Sequence, residues 1–454
     1  MTAGGRKRHR AASQAAPLAP RPPQWSIGQA EAHLRSLELF GMRFGLNRMR
    51  RMMTVLGTPQ GRYDCIHVLG TNGKTSTTRM TAAILERHGV RTATYTSPHL
   101  ISYTERLQVG ERDISEGELA EAIARAAWAA DRVNRTLAED DHVTQFELLT
   151  AAALWAIAER GVEVAVIEAG LGGRYDATSV IESQVMALTN VGLEHTRWLG
   201  PTVRDIAEEK LAVLGVGSTL VLGAELVPQA RSVAERIAGE RGATMLSAPS
   251  EPSVPAALLA AKGEFQLRNF ALAELAARVY LQGVGTALSD QALRDAASAT
   301  SVSGRLEVLG GEPLTVLDGA HNPHAVRALI DSLQPLLGER PLTLVLGVLE
   351  DKDAASMLEA LLARCERAWF TAPPSPRALS PAALQSLARQ LGFERASCEP
   401  SPSRALAEAR RWAAEHGAAV LVTGSVYLVG ELLSEERERP QREEPGGLRR
   451  RAAR

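Results

Sequence analysis

An apolar run, Ile66–Leu69, leads into a glycine turn, Gly70-Thr71-Asn72-Gly73, and then into Lys74-Thr75-Ser76 and a helical pattern over 77–87. A buried strand, a glycine turn and a helix start in immediate succession are the opening unit of an α/β sheet. The turn aims backbone N–H groups, the positive end of a helix and the Lys74 ammonium at one point, with the Thr75 hydroxyl left for a cation such as Mg²⁺. Such a point accepts a phosphate chain. The usual eight-residue phosphate loop would place its first glycine at Val68, whereas the glycines here are 70 and 73. Asn72-Gly73 is also a turn pair, so an ordinary turn with a solvated lysine is the competing reading.

At 454 residues the chain exceeds what one hydrophobic core ordinarily serves, and two domains are expected. Hydrophobic residues make up 45% and charged residues 23%, the balance of a soluble globular protein. A net charge of −1 provides no field for nucleic acid or an anionic membrane surface, so neither is expected as a partner. No apolar stretch approaches the ~20 residues of a membrane-spanning helix. Cys65, Cys365 and Cys398 are scattered without metal-ligand spacing, which fits a reducing cytoplasm. Residues 1–24 are basic but lack the apolar segment of a secretory signal. Together with 438–454 they read as disordered tails.

Between the tails, apolar strands alternate with helical patterns, the mark of a doubly wound α/β architecture. Cys65–Leu69, Val164–Ile167 and Val185–Leu188 are strands whose carboxyl ends carry Gly73, Glu168 and Asn190. Ligands of such sheets collect outside those ends if the strands are parallel neighbours. A break at Ser301-Val302-Ser303-Gly304 precedes a second series with strands Leu314–Leu317, Leu342–Leu346 and Ala419–Val422. The expected organisation is a phosphate-binding domain with a central, mostly parallel sheet over 25–300, followed by a smaller Rossmann-like α/β domain over 301–437.

Several residues near these strand ends can carry chemistry. Glu168 ends a buried strand close to the phosphate loop, where Mg²⁺ needs an oxygen ligand. His195 lies in a loop beside Glu194, and either can be a ligand. Lys210 reads as a surface lysine on a helix. Arg305, at the junction of the two series, reaches a transferring phosphoryl group or makes an interdomain ion pair. Asp318-Gly319-Ala320-His321-Asn322-Pro323 crowds acid, imidazole and amide into one strand-end loop. No Gly-x-Ser-x-Gly elbow and no catalytic cysteine setting is present.

With these segments in order, the chain resembles folylpolyglutamate synthase, including the bifunctional dihydrofolate/folylpolyglutamate synthases of the Mur ligase superfamily. The resemblance runs from Leu34 to Gly430. It is carried by Phe40–Leu46, Thr96-Ser97-Pro98-His99-Leu100 with Glu105-Arg106, Phe146–Thr150, Glu168–Thr178, Gly192–His195, Asp318–Pro323, Asp351-Lys352-Asp353 and Thr423-Gly424-Ser425. The chain departs from the family pattern at Leu211-Ala212-Val213, Phe265-Gln266, Ser303 and Glu194.

The resemblance implies an ATP-dependent ligase that joins L-glutamate to a folate or to dihydropteroate. It implies that Gly70, Thr71, Asn72, Gly73, Lys74, Thr75 and Ser76 cradle the phosphates of ATP. Asn269, Arg305 and Asp318 would hold the nucleotide from the domain interface. Ser97, Glu168, His195 and Thr75 would hold Mg²⁺, with Lys210 joining them as a carbamate. Thr144, Gln145, Phe146, Glu147, Tyr175, Asp176 and Ala177 fall where the pterin-bearing substrate is held, and His321 and Ser425 where the incoming amino acid binds. Lys74, Lys210, His195 and Arg305 would carry the catalysis, in a chain expected to act as a cytoplasmic monomer. Two rival readings are a ligase of the same superfamily that joins amino acids to a UDP-linked cell-wall precursor or to an amino-acid polymer, and a nucleotide switch without ligation.

Overall fold

The computed structural model describes residues 23–37 and 45–438. The Phe40–Phe44 part of the Phe40–Leu46 motif and nearly all of both expected tails lie outside the described residues.

Two sheets organise the chain. The first contains β1 (Asp64–Leu69), β2 (Thr92–Tyr95), β3 (Leu107–Val109), β4 (Arg112–Asp113), β5 (Val164–Glu168), β6 (Val185–Leu188), β7 (Thr219–Leu222) and β8 (Thr244–Ser247). Their spatial order is β4-β3-β2-β5-β1-β6-β7-β8, parallel except at the β4-β3-β2 edge. Central strand β1 is flanked by β5 and β6, with Val68 opposite Glu168 and Leu69 opposite Leu188. Strands buried on both faces are predominantly apolar, and β6 is so throughout while β1 and β5 depart only at Asp64, His67 and the terminal Glu168. The same register puts the phosphate turn, Glu168 and Asn190 at one end of the sheet.

The second sheet contains β9 (Glu307–Leu309), β10 (Thr315–Leu317), β11 (Leu342–Leu346), β12 (Cys365–Phe370), β13 (Ala396–Cys398) and β14 (Ala419–Thr423). Its order is β13-β12-β11-β14-β10-β9, with only β9 antiparallel. Each sheet is sandwiched between helices that fill separate apolar cores, so the protein has the two α/β units that the alternation of patterns predicts.

One helix starts earlier than its apolar pattern suggests. It spans Lys74–Arg87, not 77–87, because Gly73 takes φ +79° and turns the chain directly into the first helical turn. No side chain caps this end. Its first N–H groups therefore stay directed at the strand ends.

Candidate active site

A cleft of about 230 Å³ opens between the two sheets. The phosphate turn forms its floor. Thr71 N–H donates to the Asn190 carbonyl at 2.9 Å and Asn72 N–H donates to Asn190 Oδ1 at 3.0 Å, which fixes the turn against the end of β6. A Cβ at Gly73 would collide with Asn269 Oδ1, so glycine is required both by φ and by this contact. Asn269 is itself held by Gln266, to whose Oε1 it donates at 2.9 Å.

Lys74 Nζ bends back to donate to the Thr71 carbonyl at 3.1 Å. Thr75 Oγ1 donates to Glu168 at 2.9 and 3.1 Å, and Ser97 N–H donates to Glu168 Oε2 at 3.2 Å. Glu168 is buried, and burial raises its pKa against the opposing pull of the Lys74 charge. A buried carboxylate and a hydroxyl are hard oxygen donors of the kind Mg²⁺ selects. Thr75 and Glu168 therefore fit that ion, with Ser97 beside them.

Lys210 is not a surface residue. Its ammonium is buried and donates to the Gly70 carbonyl at 2.9 Å, beneath the phosphate turn. Burial, reinforced by the Lys74 charge, lowers its pKa to about 7. His195 lines the same cleft in a left-handed conformation, φ +52°, with its pKa lowered to about 4 chiefly by burial and then by the Lys352 charge. Its ring is therefore a neutral acceptor at physiological pH.

The opposite wall comes from the second sheet. Asp318 ends β10, and its two oxygens accept from Leu306 N–H at 2.9 Å and Ala320 N–H at 2.8 Å. It thereby pins the Arg305 loop, and the Arg305 guanidinium donates to the Gly304 carbonyl at 3.0 Å. A Cβ at Gly319 would meet Arg305 Nη1, so any side chain there would displace the end of that guanidinium. His321 joins the cleft, with Nε2 at 3.3 Å from Glu194. Lys352 Nζ reaches the same Glu194 oxygen at 3.0 Å. Burial opposes the charge of Glu194, but His321 and Lys352 together hold its carboxyl well below the usual carboxylate range.

The remaining candidates are placed elsewhere. Thr144 caps the helix Gln145–Glu159, and Glu147 completes that capping box while pairing with buried Arg48 at 3.0 Å. Gln145 donates to the Leu34 carbonyl at 3.1 Å, and the Phe146 ring lies against Gly170. Asp176 is buried and accepts from Leu171 N–H at 2.7 Å and Thr178 N–H at 3.0 Å, closing the Gly170–Gly173 loop; Ala177 is buried beside it and Tyr175 is exposed. Ser425 is buried, accepts from Tyr427 N–H at 3.2 Å, and does not line the cleft. None of Thr144, Glu147, Tyr175, Asp176 and Ala177 lines it either.

Some cleft residues carried no sequence signal. His324 Nδ1 lies 3.0 Å from Asn72 Nδ2, and Arg268 pairs with Glu225 at 3.0 Å at the rim. Each follows or precedes a singled-out residue by one or two positions, which is the only hint the sequence offered.

A phosphate turn facing a second α/β sheet across one polar cleft defines a nucleotide-dependent enzyme of the Mur ligase type. The Mur ligase middle domain matches residues 68–219 and the Mur ligase glutamate ligase domain matches residues 304–426. Folylpolyglutamate synthase of Lacticaseibacillus casei is 35% identical over 84% of this chain and 92% of its own length. Dihydrofolate synthase/folylpolyglutamate synthase of Bacillus subtilis is 30% identical over 87% of this chain and 95% of its own. The structure of Mycobacterium tuberculosis folylpolyglutamate synthase complexed with ADP superposes with a TM-score of 0.85 at 30% identity, covering 91% of this chain and 99% of that one. An Escherichia coli structure, FolC in complex with DHPP and ADP, covers 91% of this chain and 99% of that one with a TM-score of 0.79 at 27% identity. The chain belongs to the folylpolyglutamate synthase family of the Mur ligase superfamily.

Proposed function

We propose that this protein is an ATP-dependent ligase that adds L-glutamate to a folate, with dihydropteroate as a second acceptor to be tested. The observation that carries the reading is the meeting of Lys74, Thr75 and Glu168 with Arg305 and His321 in one cleft. A carboxylate is a poor electrophile, so an oxygen of the acceptor carboxylate attacks the γ-phosphorus of ATP and ADP leaves. The amine of glutamate then attacks the acyl-phosphate carbonyl and loses a proton, and inorganic phosphate departs with the C–O bond electrons. No protein nucleophile is needed. The work of the protein is to place three substrates and neutralise charge, which suits Lys74 on one wall and Arg305 on the other.

Thr75, Ser97, Glu168 and His195 are proposed to hold Mg²⁺, which when bound supplies neutralisation of the phosphate oxygens. Lys210 as a free amine is a donor to Gly70, not a ligand. Its lowered pKa leaves much of it unprotonated near neutrality, the form that reacts with CO₂ to give a carbamate. The carbamate would then present an anionic oxygen toward the same group. Asn269 and Asp318 are proposed to shape the nucleotide side, and His321 with Ser425 the amino-acid side. The pterin side is proposed to lie along Thr144–Glu147 and Tyr175–Ala177, next to the Phe146–Gly170 contact. Residues 25–300 and 301–437 would act as the two closing domains.

Action as a monomer is part of the proposal. Among the described residues no helix is long and apolar enough to cross a membrane, and a cytoplasmic site of action is proposed. The test is ADP release with Mg-ATP and L-glutamate, offering dihydropteroate and then a tetrahydrofolate. Turnover with both makes the enzyme bifunctional, and turnover with the folate alone makes it a polyglutamylase. Silence with both, while ATP still binds, sinks the folate reading.

A further inference from the structure

Behind the phosphate turn lies a second cavity of about 130 Å³ that the reaction so far leaves without a task. It is large enough for a carboxylate-bearing group and too small for a second nucleotide. It opens from the nucleotide cleft, since Thr75, Pro98, Arg305 and Val426 line both. Arg79 lines only the second. Thr75 and Arg79 share a face of the helix Lys74–Arg87 and stand one turn apart, about 6 Å along its axis.

Arg79 has unmet hydrogen-bonding capacity. Its Nε is sealed from solvent and has no hydrogen-bond partner, and its Nη2 makes a long bond of 3.4 Å to the Glu105 carbonyl. The acids that line the cavity are engaged by other groups. The Glu105 carboxylate accepts from the backbone N–H groups of Leu100, Ile101 and Ser102 at 2.8, 2.9 and 2.9 Å. Asp113 accepts from Gln108 Nε2 at 2.7 Å. Arg305 and Arg437 add two further cations to the lining. Three arginines thus line a cavity whose two acids are already engaged, so it suits an anionic acceptor brought in by a ligand.

We infer that this cavity is a carboxylate subsite in which Arg79 binds the α-carboxylate of the acceptor's terminal glutamyl residue. The inference rests on the ligase reading above. The reacting γ-carboxyl must meet the γ-phosphoryl group beside Lys74 and Thr75. The α- and γ-carboxyl carbons of one glutamyl residue are separated by three carbons, roughly 5 Å at standard bond lengths. That span matches the step from Thr75 to Arg79. Dihydropteroate has a carboxyl to activate but no α-carboxylate, so Arg79 distinguishes the two acceptors. Free L-glutamate carries the same chemistry and is the other possible source of the carboxylate.

The experiment measures KM for a tetrahydrofolate monoglutamate, L-glutamate and ATP in the wild type, Arg79→Gln and Arg79→Lys, with thermal unfolding as the fold control. Equilibrium binding of the folate and of dihydropteroate is measured in parallel. In Arg79→Gln the folate KM rises about 10- to 100-fold, Arg79→Lys recovers part of the loss, and the KM for ATP and the affinity for dihydropteroate stay unchanged. An unchanged folate KM, a rise confined to L-glutamate, or an equal loss for both acceptors overturns the inference. If the wild type turns over neither the folate nor dihydropteroate, the ligase reading fails on its own. The subsite is then decided by binding, where equal folate affinity of wild type and Arg79→Gln overturns it.

Discussion

Asn72 of the phosphate turn and Asn322 of the second sheet hold each other through a pair of side-chain hydrogen bonds. Asn322 Nδ2 donates to Asn72 Oδ1 at 2.9 Å, and Asn72 Nδ2 donates to Asn322 Oδ1 at 3.3 Å. Asn322 Oδ1 also accepts from Ala325 N–H at 2.8 Å and so caps the helix Pro323–Leu337. The loop that meets the nucleotide is thus keyed to the loop that carries Asp318 and His321. Asn322→Ala is expected to lose about 1 kcal/mol of stability through the cap and to raise the KM for ATP. Thermal unfolding and ATP kinetics check both parts. An unchanged ATP KM would show that the loops are not coupled.

Lys74 is half-buried and bonded to the carbonyl of its own turn, so its removal leaves no apolar hole. Lys74→Ala is expected to retain the fold and lose about 10²- to 10³-fold in turnover, the scale of one lost transition-state charge contact. ADP release and circular dichroism measure the two halves of the statement. Unaltered kinetics would refute the phosphate-loop assignment.

The Glu147 carboxylate serves the fold by accepting from its capping partner Thr144, N–H at 2.9 Å and hydroxyl at 3.1 Å, and from buried Arg48 Nε at 3.0 Å. Glu147→Ala leaves the Arg48–Asp141 pair, at 2.8 Å, in place and removes the Glu147 carboxylate from its pair with Arg48. Breaking such a pair costs about 3–5 kcal/mol when both groups are buried. The expected result is a large fall in Tm with acceptor KM little changed in the folded fraction. A KM defect at unchanged Tm would instead return Glu147 to the substrate site.

Lys210 is expected to carry a carbamate in the active enzyme. Lys210→Gln should abolish turnover, because an amide provides neither the amine nor the anionic oxygen. Intact mass under CO₂, together with electron density at Lys210, reads the modification directly. Plain ammonium density with full activity in Lys210→Gln would exclude it.

His67 gives the protein an acid-sensitive point. It is buried on β1 with Nε2 at 2.9 Å from Thr178 Oγ1, and burial lowers its pKa to about 3. Between pH 6.5, its ordinary value, and pH 3, the unfolded chain binds a proton at this histidine that the folded chain refuses. Its contribution is complete above pH 6.5 and is lost toward pH 3, with a slope of at most about 1.4 kcal/mol per pH unit. His67→Gln should flatten the acid limb of a Tm-against-pH curve. An identical acid limb would assign that loss to other groups.

The phosphate turn was legible because strand, glycines and Lys-Thr-Ser are consecutive, and local patterns report local structure. The strand reading of Val164–Ile167 and Val185–Leu188 also placed Glu168 and Asn190 at strand ends. Lys210 was not legible. Its helix reads as a solvated surface, and only the packing of that helix under the turn buries the ammonium against Gly70. Thr144 and Glu147 show the converse: their spacing is that of a capping box, and the structure gives them that task.

The sequence alone determined the two α/β series, the turn that faces a phosphate chain and the order of the family motifs, because each depends on neighbouring residues and strand periodicity. Only the tertiary structure decided which distant side chains meet. Glu194 with Lys352 and Asn72 with Asn322 are joined by the docking of one sheet on the other. The charge of Glu194, held by His321 and Lys352 from across the cleft, is likewise a property of that docking, and the burial of Lys210 is one of helix packing under the turn; neither belongs to a single segment.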